Sequence, residues 1–235
     1  MRKLVWILLF ATAGAAAAAP REDVFTILGN ISGKQTLTLD PAGTSRAHYT
    51  YNDRGRGDDI VATWKTDANG VLVEYRAKGN NYLKAPVDET YTLKNGKATW
   101  KSTGERGERT VSAPTFYVPA NPPPELTGVL ARALLKAPER RLPLLPAGEA
   151  RIEQADTLRV GTRELTLYRI TGLDFVATSI WLDADGATAA LVSSWGGTNG
   201  KDLLPAFDQL MAKQRDASTA WSARLAKEQT HTPAG

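Results

Sequence analysis

Two histidines, His48 and His231, and no cysteine are the whole supply of soft or borderline metal ligands in this 235-residue chain. A hydrolytic zinc centre needs several such ligands converging on one ion. Neither an HxH nor an HExxH spacing occurs, so a His-rich metal site is excluded. Asp183-Ala184-Asp185-Gly186 has the flavour of a calcium loop. Trp181 stands where an oxygen ligand is needed, however, and Val192 stands where a closing Glu is needed. The tetrad therefore reads as a hairpin turn. No GxSxG elbow surrounds any serine. Gly55-Arg56-Gly57 lacks the third glycine of a dinucleotide fingerprint, Ile60 taking its place. No catalytic residue, metal ligand or cofactor is assigned on these grounds.

The most distinctive local chemistry is Tyr49 to Asp59, in which two arginines and three aspartates alternate around two glycines. It reads either as a solvated hairpin loop whose glycines supply positive φ or as a docking loop. In the second reading Arg54 and Arg56 engage carboxylates or backbone of a neighbouring domain, with Asp58 and Asp59 completing the candidate docking loop. Asn80 to Pro86 is a second candidate contact loop. Trp64, Trp100, Trp181 and Trp195 fall in strand-like segments and are expected in the core.

Period-two alternation dominates the elements that must position these loops. It runs through Lys34–Asp40, Arg46–Asn52, Asp59–Thr66, Val71–Lys78, Glu89–Leu93 and Lys97–Lys101. Asp67-Ala68-Asn69-Gly70 and Asn95-Gly96 are hairpin signals, because Asn and Gly tolerate positive φ. Arg109–Val118 reads as a strand interrupted by Pro114. The proline-rich break at 119–124 cannot be strand interior and could divide the chain into two lobes. A helix follows, with an apolar stripe through Leu126, Val129, Leu130, Ala133, Leu134 and Ala137 that ends at Pro138. A charged bridge, Glu139-Arg140-Arg141, leads on to strands at Ala150–Val160, Glu164–Thr171, Phe175–Leu182 and Thr188–Trp195. A long helix is predicted from Lys201 to about Lys227, with Asn199 as a cap and an apolar stripe through Phe207, Leu210, Trp221 and Leu225. The predicted fold is mainly β with some α: an antiparallel, strongly curved sheet on which a central and a long C-terminal helix pack.

Met1-Arg2-Lys3 followed by the apolar Leu4–Ala13 and the small residues Ala15–Ala19 has the pattern of a secretory signal peptide, cut after Ala17 or Ala18. Residues 19–229 would then form the working domain and 230–235 an unstructured tail. The expected location is the periplasm or the medium, with no membrane contact after cleavage. Loss of Arg2 and Lys3 leaves 27 basic against 25 acidic side chains. No basic stripe interleaved with exposed aromatics appears, which argues against nucleic acid.

Five segments carry a family likeness. They are Tyr51-Asn-Asp-Arg-Gly-Arg-Gly57, Lys84-Ala-Pro-Val-Asp-Glu89, Phe116-Tyr-Val-Pro119, Leu142 to Ala150, and Leu173 with Ile180-Trp-Leu-Asp183. Together they resemble the N-terminal extension of exported bacterial amidohydrolases, the imidazolonepropionase-like metal-dependent hydrolases, in which a β-rich leader precedes the catalytic TIM barrel. The likeness spans essentially all of the chain after the export segment, and Leu225 to Gly235 resembles the joint at which the barrel would begin. The family's metal ligands lie in that barrel, so no catalytic residue carries over. The resemblance implies a non-catalytic accessory domain associated with an amidohydrolase catalytic domain, in cis or in trans. The partner surface would be the Asp53–Asp59 loop or the C-terminal helix around Trp221 and Leu225. The rival expectation is a free-standing binding module holding an apolar small ligand between sheet and helix, like lipoprotein-carrier half-barrels.

Overall fold

A computed structural model describes residues 19–229. The predicted export segment, 1–18, and tail, 230–235, lie outside the described residues. The chain runs through β1 (Arg21–Ile27), β2 (Asn30–Leu39), β3 (Ser45–Tyr51), β4 (Asp59–Thr66), β5 (Leu72–Asn80), β6 (Pro86–Lys94), β7 (Lys97–Lys101), β8 (Arg106–Thr110) and β9 (Phe116–Tyr117). Helix α1 (Glu125–Lys136) follows, then β10 (Arg141–Leu145), β11 (Glu149–Val160), β12 (Arg163–Thr171), β13 (Thr178–Asp183), β14 (Thr188–Val192) and β15 (Gly196–Gly200). A 3-10 turn, Lys201–Ala206, leads into α2 (Phe207–Gln229). The fold is mostly β, a large curved antiparallel sheet with one short and one long helix, as the alternation predicts.

All of these strands belong to one sheet. From one edge the order descends from β8 to β1, passes to β15, and descends again to β9 at the other edge. Neighbours are antiparallel except β9 and β10, which run parallel. The hairpin turns take the chemistry expected of them. Asn95 and Gly96 both have positive φ, the conformation a two-residue turn needs to match strand twist. Asp67 Oδ1 accepts from the amides of Asn69 and Val71, and Asp183 Oδ1 from those of Asp185 and Ala187. The Asp183 tetrad is thus a hairpin turn whose aspartate is occupied by backbone.

The sheet rolls around α1. Ala62 and Trp64 of β4 and Tyr91 of β6 share one core with Ile152 of β11, Ile180 and Leu182 of β13, and Leu130 and Leu134 of α1. Strands from both ends of a linear order reach one helix only if the sheet is concave towards it. At the seam, Tyr117 of β9 stacks on Tyr91 with ring centroids 4.4 Å apart. Its hydroxyl donates to Glu89 Oε1 at 2.7 Å, and the Ala120 amide donates to the same oxygen at 2.9 Å. Side chains, not a strand ladder, hold the edge strand β9 against β6, and the roll stays open.

Prolines bracket α1. Pro124 precedes Glu125, and Ala137, before Pro138, is extended, as a residue ahead of proline prefers. The Glu125 amide, an orphan donor of the first turn, donates to Gln35 Oε1 at 3.0 Å. Gly128 lets the helix approach β14: a Cβ there would meet Thr188 Oγ1 at 1.9 Å. Each buried Leu of this helix contributes about 1.5–3 kcal/mol by transfer from water. Helix α2 covers the opposite, convex face, where Leu203 and Leu210 pack on Leu165, Leu167 and Trp181. Trp181 points away from Ile180 and Leu182 because side chains alternate along a strand.

Several expectations are corrected. β1 and β15, the strands that join the halves of the sheet, are not among the predicted strands, the first expected alternation starting at Lys34 and the last expected strand ending at Trp195. Glycine is required in β15: a Cβ on Gly196 would sit 2.2 Å from the Thr26 carbonyl oxygen. The bridge after Pro138 becomes β10 at Arg141. The expected Arg109–Val118 strand splits into β8 and the two-residue β9, and Thr188–Trp195 stops at Val192. Asn199 lies in β15 and caps nothing, because the 3-10 turn has no side-chain cap. Phe207 is half-buried, whereas Leu210 is buried. Trp64, Trp100 and Trp181 are in the core, but Trp195 is 42% exposed.

Candidate functional site

The hairpin connections β1–β2, β3–β4, β5–β6, β12–β13 and β14–β15 all emerge at one rim of the rolled sheet. The two loops singled out in the sequence, 52–58 and 81–85, interlock there. The Gly57 amide donates to the Tyr82 carbonyl at 3.0 Å, and Lys84 Nζ donates to the Gly57 carbonyl at 2.7 Å. Tyr82 Oη donates to Asp53 Oδ2 at 2.6 Å, while Arg54 Nε donates to Asp53 Oδ1 at 2.9 Å. The Arg56 guanidinium lies over the Tyr82 ring, 5.1 Å from its centroid. The Tyr82 bond and the Arg54 pair hold the Asp53 carboxyl below the usual carboxylate range. Burial holds the Asp58 carboxyl above it.

Under these loops sits an aromatic group that closes this mouth of the roll. Phe25, Tyr49 and Tyr51 pack with Tyr82 and Trp195, and Tyr51 to Trp195 is 6.1 Å between ring centroids. They occupy the concave face, because Ala47, Tyr49 and Tyr51 alternate inward along β3. Burial among aromatic neighbours, chiefly, pushes the Tyr51 phenol up to about 12. The β1–β2 turn joins the same unit through the Leu28 amide, which donates to the Trp195 carbonyl at 3.0 Å.

Of the sequence candidates, Arg54, Arg56 and Asp58 come together in this unit. Asp59 stands apart at the start of β4, where its carboxylate meets His48 Nε2 at 2.8 Å on the outer face. Trp221 is half-buried on α2 and covers the Arg169 guanidinium at 4.9 Å. Leu225 is half-buried one turn further on. That surface is thus partly engaged within the fold. The sequence reading missed Leu28, Ile31, Phe175, Val176 and Trp195 as rim residues. Leu28 is 73%, Leu83 72%, Phe175 106% and Val176 78% exposed. Single apolar residues in short turns leave no periodic signal to find.

The buried carboxylates are already matched. Asp23 and Glu125 share Arg21, and Glu125 also binds Arg132 at 2.7 Å. Burial raises Asp23 despite its arginine. Among the described residues no group of His, Cys, Asp or Glu is placed to hold a metal ion. No described helix is long and apolar enough to cross a membrane. The cleft of about 340 Å³ at the far end of α1, between Pro114, Ala133, Lys136 and Leu142, is open and edged by Glu139 and Arg141.

No family model matches the sequence, and no curated protein matches it. Among solved structures the chain is similar to the beta-barrel-like protein of domain of unknown function DUF1849 from Brucella abortus. That likeness is at 11% identity and a TM-score of 0.44, and covers 77% of this chain and 94% of that one.

Proposed function

We propose that this chain is a non-catalytic accessory domain that docks, through its hairpin rim, on the catalytic domain of an exported imidazolonepropionase-like amidohydrolase. The observation that carries the docking is the composition of the rim. Tyr82, Trp195, Arg54 and Arg56 are gathered on a rigid base and ringed by apolar tips at Leu28 and Leu83. Tyr, Trp and Arg are the residue types that dominate protein interface hot spots. Pre-ordering them reduces the entropy lost on association. The five-segment resemblance supports the choice of partner, and four of those segments contribute residues at the rim or the seam. The apolar-ligand alternative has less to support it, since α1 fills the concavity with Leu130 and Leu134.

The test is association in trans. Mature chain mixed with a purified barrel of that hydrolase class should give a one-to-one complex in sedimentation velocity. Trp195→Ser with Leu83→Ser should weaken it about tenfold or more, which corresponds to about 1.4 kcal/mol. A mature chain that stays monomeric beside several such barrels would sink the proposal.

A further inference from the structure

The rim holds a device that narrows the chemistry of whatever it meets. Arg54 occupies a left-handed position, φ 54°, in a loop that offers glycine at the next residue. Leu28 and Lys84, on the adjoining tips, are also left-handed, at 47° and 65°. Such turn positions ordinarily carry Asn or Gly, and a larger side chain there is strained. Three of the left-handed positions on one rim thus present a leucine, an arginine and a lysine.

Arg54 is also aimed. Asp53 is buried, and its two oxygens are divided: Oδ2 takes the Tyr82 hydroxyl and Oδ1 takes Arg54 Nε. A guanidinium gripped at Nε keeps its two Nη groups for an outside partner. The Arg54 side chain is 80% exposed, so that edge faces solvent. Paired Nη donors match a carboxylate in fork geometry, which an ammonium cannot reproduce. Arg56, stacked on the same Tyr82 ring, places a second guanidinium beside the first. Asp53 is thus shared between a tyrosine of one loop and an arginine of another, and it fixes both.

We infer that Arg54, oriented by Asp53 and Tyr82 and flanked by Arg56, is a preset receptor for a carboxylate on the docking partner, an Asp or Glu side chain set in an apolar face. Arg54 and Arg56 are the contact residues, and Asp53 and Tyr82 are positioning residues. This deepens the docking reading and rests on it for the identity of the partner. The receptor itself can be tested without that partner.

A hexaglutamate peptide titrated into mature chain at low salt is the probe, with arginine side-chain ¹⁵N signals as the readout. The Arg54 and Arg56 signals should move first and furthest among the arginines. Asp53→Asn, which keeps the shape but loosens the grip on Nε, should abolish that selectivity while backbone spectra stay folded. Arg54→Lys should weaken binding to the hydrolase barrel about tenfold, and Arg54→Gln at least as much. If all arginines respond alike or none responds, the receptor is overturned whatever the barrel does. If the barrel binds and Arg54→Lys binds equally, the receptor is overturned while the docking reading stands. If the peptide response is selective but no barrel binds, the receptor stands and the amidohydrolase reading falls.

Discussion

Glu89 shows how much one side chain can settle in an open roll. Its carboxylate receives the Tyr117 hydroxyl and the Ala120 amide from the far edge of the sheet. Glu89→Ala strands the buried Tyr117 hydroxyl and releases the more exposed Ala120 amide, and leaving a buried donor unsatisfied costs about 1–3 kcal/mol. Glu89→Gln keeps an acceptor and should cost less. Urea unfolding of both variants measures this, and an alanine variant within about 0.5 kcal/mol of the parent would show that the seam is held elsewhere. Glu22 supplies a pH test. Bonds from Lys201 and Lys34 pull its carboxyl from 4.5 to about 2. A depressed carboxylate stabilises the fold fully above its unfolded value of 4.5, and that contribution drains away as pH falls towards 2. Glu22→Gln should therefore flatten the acid limb of stability between about pH 4.5 and 2 and lower the neutral plateau by the same small amount, parent and variant converging below about pH 2, since both ion pairs are exposed. An unchanged acid limb would contradict the assignment.

At the scale of elements, α1 is the test of packing. Leu134 has no exposed surface and sits between both arms of the sheet. Leu134→Ala should cost about 2–5 kcal/mol through lost transfer energy and a cavity. A loss below about 1 kcal/mol would mean that the helix does not fill the roll in solution. This helix was legible in the sequence, because its apolar stripe is long and prolines mark both ends. The hairpins at Asn95-Gly96 and Asp67–Gly70 were legible for a similar reason, since each turn residue has a conformational job. β15 was not. Gly-Gly-Thr-Asn-Gly has no alternation, and its glycines are there to let Thr26 and Leu191 backbone come close, a tertiary demand invisible in the segment itself. β10 was hidden in the same way, because Pro143 argues against a strand and only the partnership with β9 and β11 makes one. The interlock of the two flagged loops needed the fold as well: Asp53 and Tyr82 are 29 residues apart, and only the β3–β4 and β5–β6 hairpins bring them together.

At the scale of the molecule, an open sheet rolled around α1 with α2 outside leaves its two rims unequal. Among the described residues, Leu28, Ile31, Leu83, Phe175, Val176 and Trp195 are exposed at one rim, whereas Leu39 is exposed at the other. Scattered apolar residues need no explanation, but a rim of them is the kind of surface the proposed docking requires. The sequence offered two places for that surface, the Asp53–Asp59 loop and the C-terminal helix. Leu28, Leu83 and Trp195 adjoin the loop, while Trp221 is engaged with Arg169. Hydrogen exchange on the mature chain, free and mixed with a barrel of the resembled hydrolase class, tests this account most directly. New protection should be confined to residues 28–31, 52–58, 81–85 and 193–196. Protection centred on α2, or none anywhere, would contradict it.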